Sequence, residues 1–288
     1  MSISSGVYRE KVTEGRIAEH GPTAVDMHFH TNHSDSTTTV AGALRRAKRL
    51  GIGVAITDHN TISGSEEALR SGSGVFVVPG IEVSAADGPH ILLYFYDLDS
   101  MREYYELHVK PFKRSSPYLA IRQDTWEIVR RSMGYDCIRV AAHPYGYLLF
   151  NKGLQKCIEA HYLEQEILEH FDGVEVMCGG MTRTLNDRAA SLSERFLKGR
   201  TGGTDGHLLH DLGNVVTVGP STDLEGFLGD VVERRTTVIG REKNTLQKTV
   251  MGSVVMTKYF RYTFPSLRIH YEQNAPRVRK YLEARRRR

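Results

Sequence analysis

His28, His30, His33 and Asp35 fall within eight positions in the stretch VDMHFHTNHSDS, directly after a short apolar run. Imidazole nitrogens and carboxylate oxygens are donors that zinc, manganese and iron accept, so this stretch is a candidate metal-binding turn. Similar groups recur wherever an apolar run ends or begins: His59 in AITDH, Glu82 in PGIE, His90 at the head of HILLYFYD, His143 in VAAHP, and Asp205 and His207 in GTDGH. With His28, His30 and Asp35 these make nine potential ligands, six histidines and three carboxylates. In extended chain, residues i and i+2 point to the same side, so His28 and His30 can face one ion, and Asp205 and His207 can do likewise. A single histidine at a strand end is more often an ordinary hydrogen-bonded residue. Nine such groups at one end of a core would cost stability unless a cation compensated them.

The elements that would position these residues alternate along the chain. AVDMHF, GVAITDH, VFVVPGIEVS, HILLYFYD, IRVAAHP, GVEVMCG, RTGGTD, VVTVG and TTVIG have the composition of strands. TTVAGALRRAKRLG, SGSEEALRSG, TLNDRAASLSERFLKG and STDLEGFLGDVVERR have helical periodicity, the first with a Thr near its start and Gly51 as its stop. Residues 98–133 are mostly helical in pattern and rich in charge and tyrosine. Strands alternating with helices predict an α/β fold with parallel strands, in which the potential ligands share the rim where (β/α) barrels place their chemistry. The expected organisation is an N-terminal segment over 1–24, a main domain over 25–240 and a basic extension over 241–288.

Composition narrows the class. A chain of 288 residues with 40% hydrophobic content can bury a large core. No apolar run is long enough for a membrane span, and the opening residues lack the apolar centre of a signal peptide, so a soluble cytoplasmic protein is the default expectation. Cys137, Cys157 and Cys178 show no C-x-x-C spacing and read as ordinary reduced cysteines. Residues 241–288 carry 13 Lys and Arg against 3 Asp and Glu, whereas residues 1–240 carry 25 against 31. A basic tail on an acidic body could attract nucleic acid, and its aromatic residues interleave with Lys and Arg as in single-strand binders. Packing of Tyr259, Phe260, Tyr262 and Phe264 against the barrel is the expected alternative, with only the end of the chain, including Arg285–Arg288, free. Oligomeric state is not legible.

The set DMHFHTNHSDS, TDHNTISG, PGIEVS, GPHIL, AHPYG and GTDGH resembles, in order, the successive motifs of the PHP (polymerase and histidinol phosphatase) family of metal-dependent phosphoesterases. The resemblance runs from about Val25 to Gly240. It implies a distorted (β/α)7 TIM-like barrel with three divalent ions at the C-terminal rim of its strands. Carried over motif by motif, His28 and His30 would hold one ion with Glu82 and Asp205. Glu82 would bridge to a second ion shared with His90 and His143, and Asp35, His59 and His207 would hold the third. His33 matches a variable position and is expected to be a solvent-facing loop residue. Asn60 stands where many relatives have Asp, and Ser36 where many have Gly.

Ions spaced about 3.5–4 Å apart can clamp a phosphoryl oxygen and supply a metal-bridging hydroxide, the chemistry of phosphate ester hydrolysis. Asp58 and His210 are candidates for moving the leaving-group proton, although Asp58 could instead orient a ligand and His210 could simply be exposed. Arg183, after a barrel strand, is the first candidate for gripping substrate phosphate. The substrate would be a phosphorylated small molecule, such as a nucleotide or bisphosphate, or a short 5′-phosphorylated oligonucleotide. A histidinol phosphatase, an amidohydrolase-like C–N hydrolase and a non-enzymatic metal-stabilised scaffold that binds nucleic acid are the rival readings. Manganese, iron and zinc all suit such donors.

Overall fold

The computed structural model describes residues 6–146 and 153–286, with side chains to position 275. Among the described residues ten strands make one sheet: β1 (Val7–Tyr8), β2 (Thr23–Phe29), β3 (Gly53–Ile56), β4 (Val77–Ser84), β5 (His90–Phe95), β6 (Cys137–Ala141), β7 (Gly173–Cys178), β8 (Gly199–Gly203), β9 (Val215–Gly219) and β10 (Thr237–Gly240). Their order is β1-β10-β9-β2-β3-β4-β5-β6-β7-β8. The helices are α1 (Glu14–Ala18), α2 (Val40–Leu50), α3 (Ser63–Arg70), α4 (Leu98–Tyr104), α5 (Thr125–Ser132), α6 (Leu154–Glu159), α7 (Arg183–Arg195), α8 (Leu224–Val232), α9 (Thr245–Tyr259) and α10 (Thr263–Arg286).

Local chemistry sets the boundaries where the sequence suggests. The Thr39 side chain caps α2 by accepting from the Gly42 amide, and Gly51 ends it in the left-handed region at φ 62°. Buried side chains of β2 to β6, among them Val25, Ala55, Val78, Leu92 and Val140, form one apolar cluster. The Tyr94 hydroxyl on β5 donates to the Met27 carbonyl on β2, across the intervening strands β3 and β4. Such contacts require the sheet to curl. The far edge returns to the first strands: His30 N donates to Gly206 O, and Gly202 N donates to Thr217 Oγ1 on β9. A Cβ on Gly203 would lie 2.4 Å from His28 Cβ, so only glycine lets β8 approach β2 this closely. Buried Asp26 reinforces the closure by accepting from Thr204 N and Oγ1 and from Gly213 N.

The result is the expected α/β barrel, with a mixed rather than wholly parallel sheet. β5 runs antiparallel to both β4 and β6, and β9 runs antiparallel to β2 and β10. This reversal matters for chemistry. His90 begins its strand, and only because β5 runs backwards does that beginning sit at the rim where β4 ends, with His90 paired to Ser84.

The segment before β2 contributes β1, which pairs with β10. The basic extension forms α9 and α10. Tyr259 and Tyr262 lie against Tyr118, with ring centroids 5.6 and 5.5 Å away. Phe260 and Phe264, expected to pack, are instead 83% and 85% exposed, Phe260 in the short 3-10 turn between α9 and α10 and Phe264 in the first turn of α10. The Arg285–Arg288 side chains lie outside the described residues. Among those described, no helix is long and apolar enough to cross a membrane, and the three cysteines are buried and form no disulfide.

Candidate metal centre

The curled sheet brings all nine candidate ligands together in buried positions. Among the described residues three groups have donor atoms within 4.8 Å of one another: His28, His30 and Asp205; His59, Glu82 and His90; and His30, Asp35, His59 and His207. His30 and His59 each belong to two groups, so the partition is less strict than one set of residues per ion. Glu82 is the hub. Its carboxylate lies 2.7 Å from His59 Nδ1, 2.9 Å from His90 Nδ1, 3.2 Å from His143 Nε2, 3.5 Å from His28 Nε2 and 3.6 Å from His30 Nε2.

A ring of imidazoles around buried carboxylates has a marked electrostatic effect. Burial pushes the Glu82 carboxyl up, but the facing His90, His59 and His28 outweigh it and hold it well below the usual range. Asp205 and Asp35 are depressed for the same reason, against the burial that would raise them. Burial lowers the His207 imidazole, yet Asp35 Oδ1 at 3.1 Å from its Nε2 lifts it to about 9. His30 moves the other way, to about 3, because burial and the neighbouring His207 and His59 disfavour its charge. The carboxylates are thus ionised while His207 keeps its proton, and once such protons are shed, imidazole nitrogens beside carboxylate oxygens are a donor set that a divalent cation of the zinc, manganese or iron type fits.

Backbone and neighbouring side chains aim the donors. Glu175, buried on β7, places Oε1 2.9 Å from His28 Nδ1, while its Oε2 accepts from the His143 amide at 2.7 Å. Fixing His28 through Nδ1 leaves Nε2 to face the cluster. The Asp205 carbonyl does the same for His207 through Nδ1. Buried Lys243 donates to the carbonyls of Thr204 and Asp205. Asn60, His143 and Asp205 have φ of 51°, 27° and 45°. Strained backbone of this kind costs about 1–3 kcal/mol per residue and persists where a site is tightly determined.

Glu175 and Lys243 escape sequence reasoning. A carboxylate in the middle of the apolar run GVEVMC is the signal that points to Glu175; Lys243, in the polar stretch REKNT, carries none.

Other candidates lie elsewhere. Asp58 turns from the cluster to Thr31 and Ser34, accepting from Thr31 N, Thr31 Oγ1 and Ser34 Oγ, and so holds the turn that carries Asp35. Arg183 starts α7 with its side chain 65% exposed and its guanidinium 3.7 Å from Glu242. The His210 side chain is 58% exposed. His33 meets Ser63 and Glu67, each at 2.9 Å, on α3. His33→Ala should therefore leave metal content unchanged and turnover within about twofold, because its lost partners are surface groups; a tenfold loss in a side-by-side assay would give it a role in the site. Ser36 Oγ donates to the His207 carbonyl. Asn60 Nδ2 donates to the carbonyls of Pro117 and Leu119, while its Oδ1 accepts from Ser84 N.

Comparison with known proteins agrees with this geometry. A search of curated proteins finds no matching sequence. Among solved structures, a two-domain protein from Bacteroides vulgatus containing a predicted PHP-like metal-dependent phosphoesterase is 14% identical, with a TM-score of 0.56 over 90% of this chain and 74% of that one. An amidohydrolase from Chromobacterium violaceum is 18% identical, with a TM-score of 0.51 over 74% and 96% of the two chains. The lesion-specific endonuclease PfuEndoQ from Pyrococcus furiosus is 17% identical, with a TM-score of 0.58 over 75% of this chain but only 57% of its own. At such identities the likeness speaks for fold. The PHP domain profile matches residues 26–200 and a PHP-associated profile matches residues 183–236. The chain thus belongs to the PHP family of metal-dependent phosphoesterases.

Proposed function

We propose that this protein hydrolyses a phosphate monoester or diester, with a nucleotide, a bisphosphate or the end of a short 5′-phosphorylated oligonucleotide as substrate, and that His28, His30, Asp35, His59, Glu82, His90, His143, Asp205 and His207 hold three divalent ions. The observation that carries the reading is Glu82, a fully buried carboxylate approached by five imidazoles, flanked by donor groups on either side. Closely spaced divalent ions supply hydroxide near neutral pH and stabilise charge on the phosphoryl oxygens. The chain's own residues hold that arrangement still: Glu175 and the Asp205 carbonyl fix imidazole orientation, Asp58 fixes the turn of Asp35, and burial excludes bulk water. No side-chain nucleophile is needed.

Two structural relatives bear on the substrate. The P. furiosus protein is described as an endonuclease, which accords with a nucleic-acid phosphate ester as substrate and with a contribution from the basic extension. The C. violaceum amidohydrolase keeps C–N hydrolysis as the rival. The test is the release of phosphate, or of a nucleotide from the oligonucleotides, by manganese-reconstituted protein across histidinol phosphate, nucleoside mono- and bisphosphates, sugar phosphates and 5′-phosphorylated oligonucleotides. Preferential release from one nucleotide class supports the reading. No release from any ester, with metal confirmed bound, defeats it.

Metal uptake should also depend on pH in a set direction. His207 holds a proton up to about 9, and a ligand nitrogen must shed its proton to bind a cation. Metal affinity is therefore expected to climb about tenfold per pH unit for each proton displaced, from His207 and from His28, which Glu175, Glu82 and Asp205 hold well above the usual range against the burial that lowers it. Manganese titrations at several pH values, with proton release followed in weak buffer, check this. An affinity that stays flat from about pH 6 to 9 would remove His207 from the ligand set.

A further inference from the structure

The basic extension reaches the metal cluster itself. Tyr259, in the last turn of α9, is half-buried; its hydroxyl donates to the Tyr118 carbonyl at 3.5 Å, and burial together with the nearby Asp35 and Glu82 carboxylates holds its pKa well above the usual value. Its ring meets Tyr118 at 5.6 Å and 69°, and Tyr262 meets the same ring at 5.5 Å and 86°. All three residues are only partly buried. The Arg261 guanidinium stands over Tyr262, 5.9 Å from the ring centroid. Asn60, the residue directly after His59, holds the Tyr118 loop to the site. Its Nδ2 donates to the carbonyls on both sides of Tyr118, at 3.1 Å for Pro117 and 2.8 Å for Leu119. An ionised aspartate could donate to neither carbonyl. Asn60 therefore ties a cluster histidine's own turn to an aromatic wall, most of which the C-terminal helices provide.

Within the phosphoesterase reading above, we propose that Tyr118, Tyr259 and Tyr262 form a subsite for the flat ring of a nucleoside next to the phosphate being cleaved. Partly exposed aromatic residues beside a cation are suited to a nucleobase, because every base offers a π-face for stacking while Arg261 adds positive charge for the backbone. A phosphate ester without such a ring gains nothing from the wall. The ring specificity of this protein thus resides in its extension and in Asn60, whereas the barrel supplies the phosphate chemistry.

The test is a comparison of equilibrium binding, independent of turnover. Metal-loaded, full-length protein is titrated calorimetrically with the non-hydrolysable phosphonate analogues of AMP and of ribose 5-phosphate. The ring-bearing analogue should bind about 5- to 150-fold more tightly, the span of base–aromatic stacking. In Tyr118→Ala the preference should collapse towards unity with metal content and circular dichroism unchanged, and Asn60→Asp should reduce it in the same sense. Equal binding of the two analogues by the unaltered protein overturns the proposal without recourse to any variant. A preference that survives both Tyr118→Ala and Tyr262→Ala overturns it as well. Silence in the phosphate-release panel alongside an intact preference would defeat the hydrolase reading and leave the ring subsite standing.

Discussion

Glu82→Gln should strip the protein of metal and of turnover together. The substitution keeps the shape of the side chain but removes the one charge that His28, His30, His59, His90 and His143 all approach. Residues that only orient a ligand cost about 10–100-fold in metal affinity when changed, so loss of the hub should exceed about 100-fold. Excess manganese should not restore activity. Asp205→Asn is expected to behave alike, since Asp205 lies 3.2 Å from His30 Nε2 and 3.7 Å from His28 Nε2. If Glu82 were merely the centre of a structural ion-pair network, Glu82→Gln would lower thermal stability and leave metal stoichiometry intact. Metal analysis beside a melting curve separates the two.

Glu175→Gln should produce a milder and reversible defect. The carboxylate orients His28 through Nδ1 and receives the His143 amide, but it is not among the donor groups that converge on one another. A glutamine can still accept one of those hydrogen bonds through its carbonyl oxygen, although without the charge that strengthens it. Manganese affinity is expected to fall about 10–100-fold, and saturating manganese should bring kcat back near the unaltered value. A kcat that stays depressed at saturation would mean that Glu175 touches the reacting groups, against the geometry.

Much of this site is legible in the order of the amino acids, and the reasons are physical. H-x-H and D-x-H spacings work in extended chain whatever the surrounding fold, so His28, His30, Asp205 and His207 stand out as pairs. His59, Glu82 and His143 stand out as polar ends of apolar runs. Strand direction does not, because a run such as HILLYFYD has the same composition whichever way it travels; the reversal that returns His90 to the rim is a property of the whole sheet. Glu175 is hidden by its position inside a strand, where its role depends on two partners distant along the chain. Arg183 is legible only as a position: its place after a strand suggests a phosphate contact, and at the start of α7 its side chain is 65% exposed with the guanidinium 3.7 Å from Glu242. The aromatic tail is half legible. Alternation of Tyr and Phe suggests packing as a group, yet helical geometry turns Tyr259 and Tyr262 inward and leaves Phe260 and Phe264 outside.

The central claim is that the nine residues form one metal cluster, and elemental analysis of the full-length protein after manganese reconstitution and desalting tests it most directly. The three donor groups predict about three ions per chain, falling below about one in Glu82→Gln. Less than about one ion per chain in the unaltered protein, at a pH where His207 has lost its proton, would contradict the account.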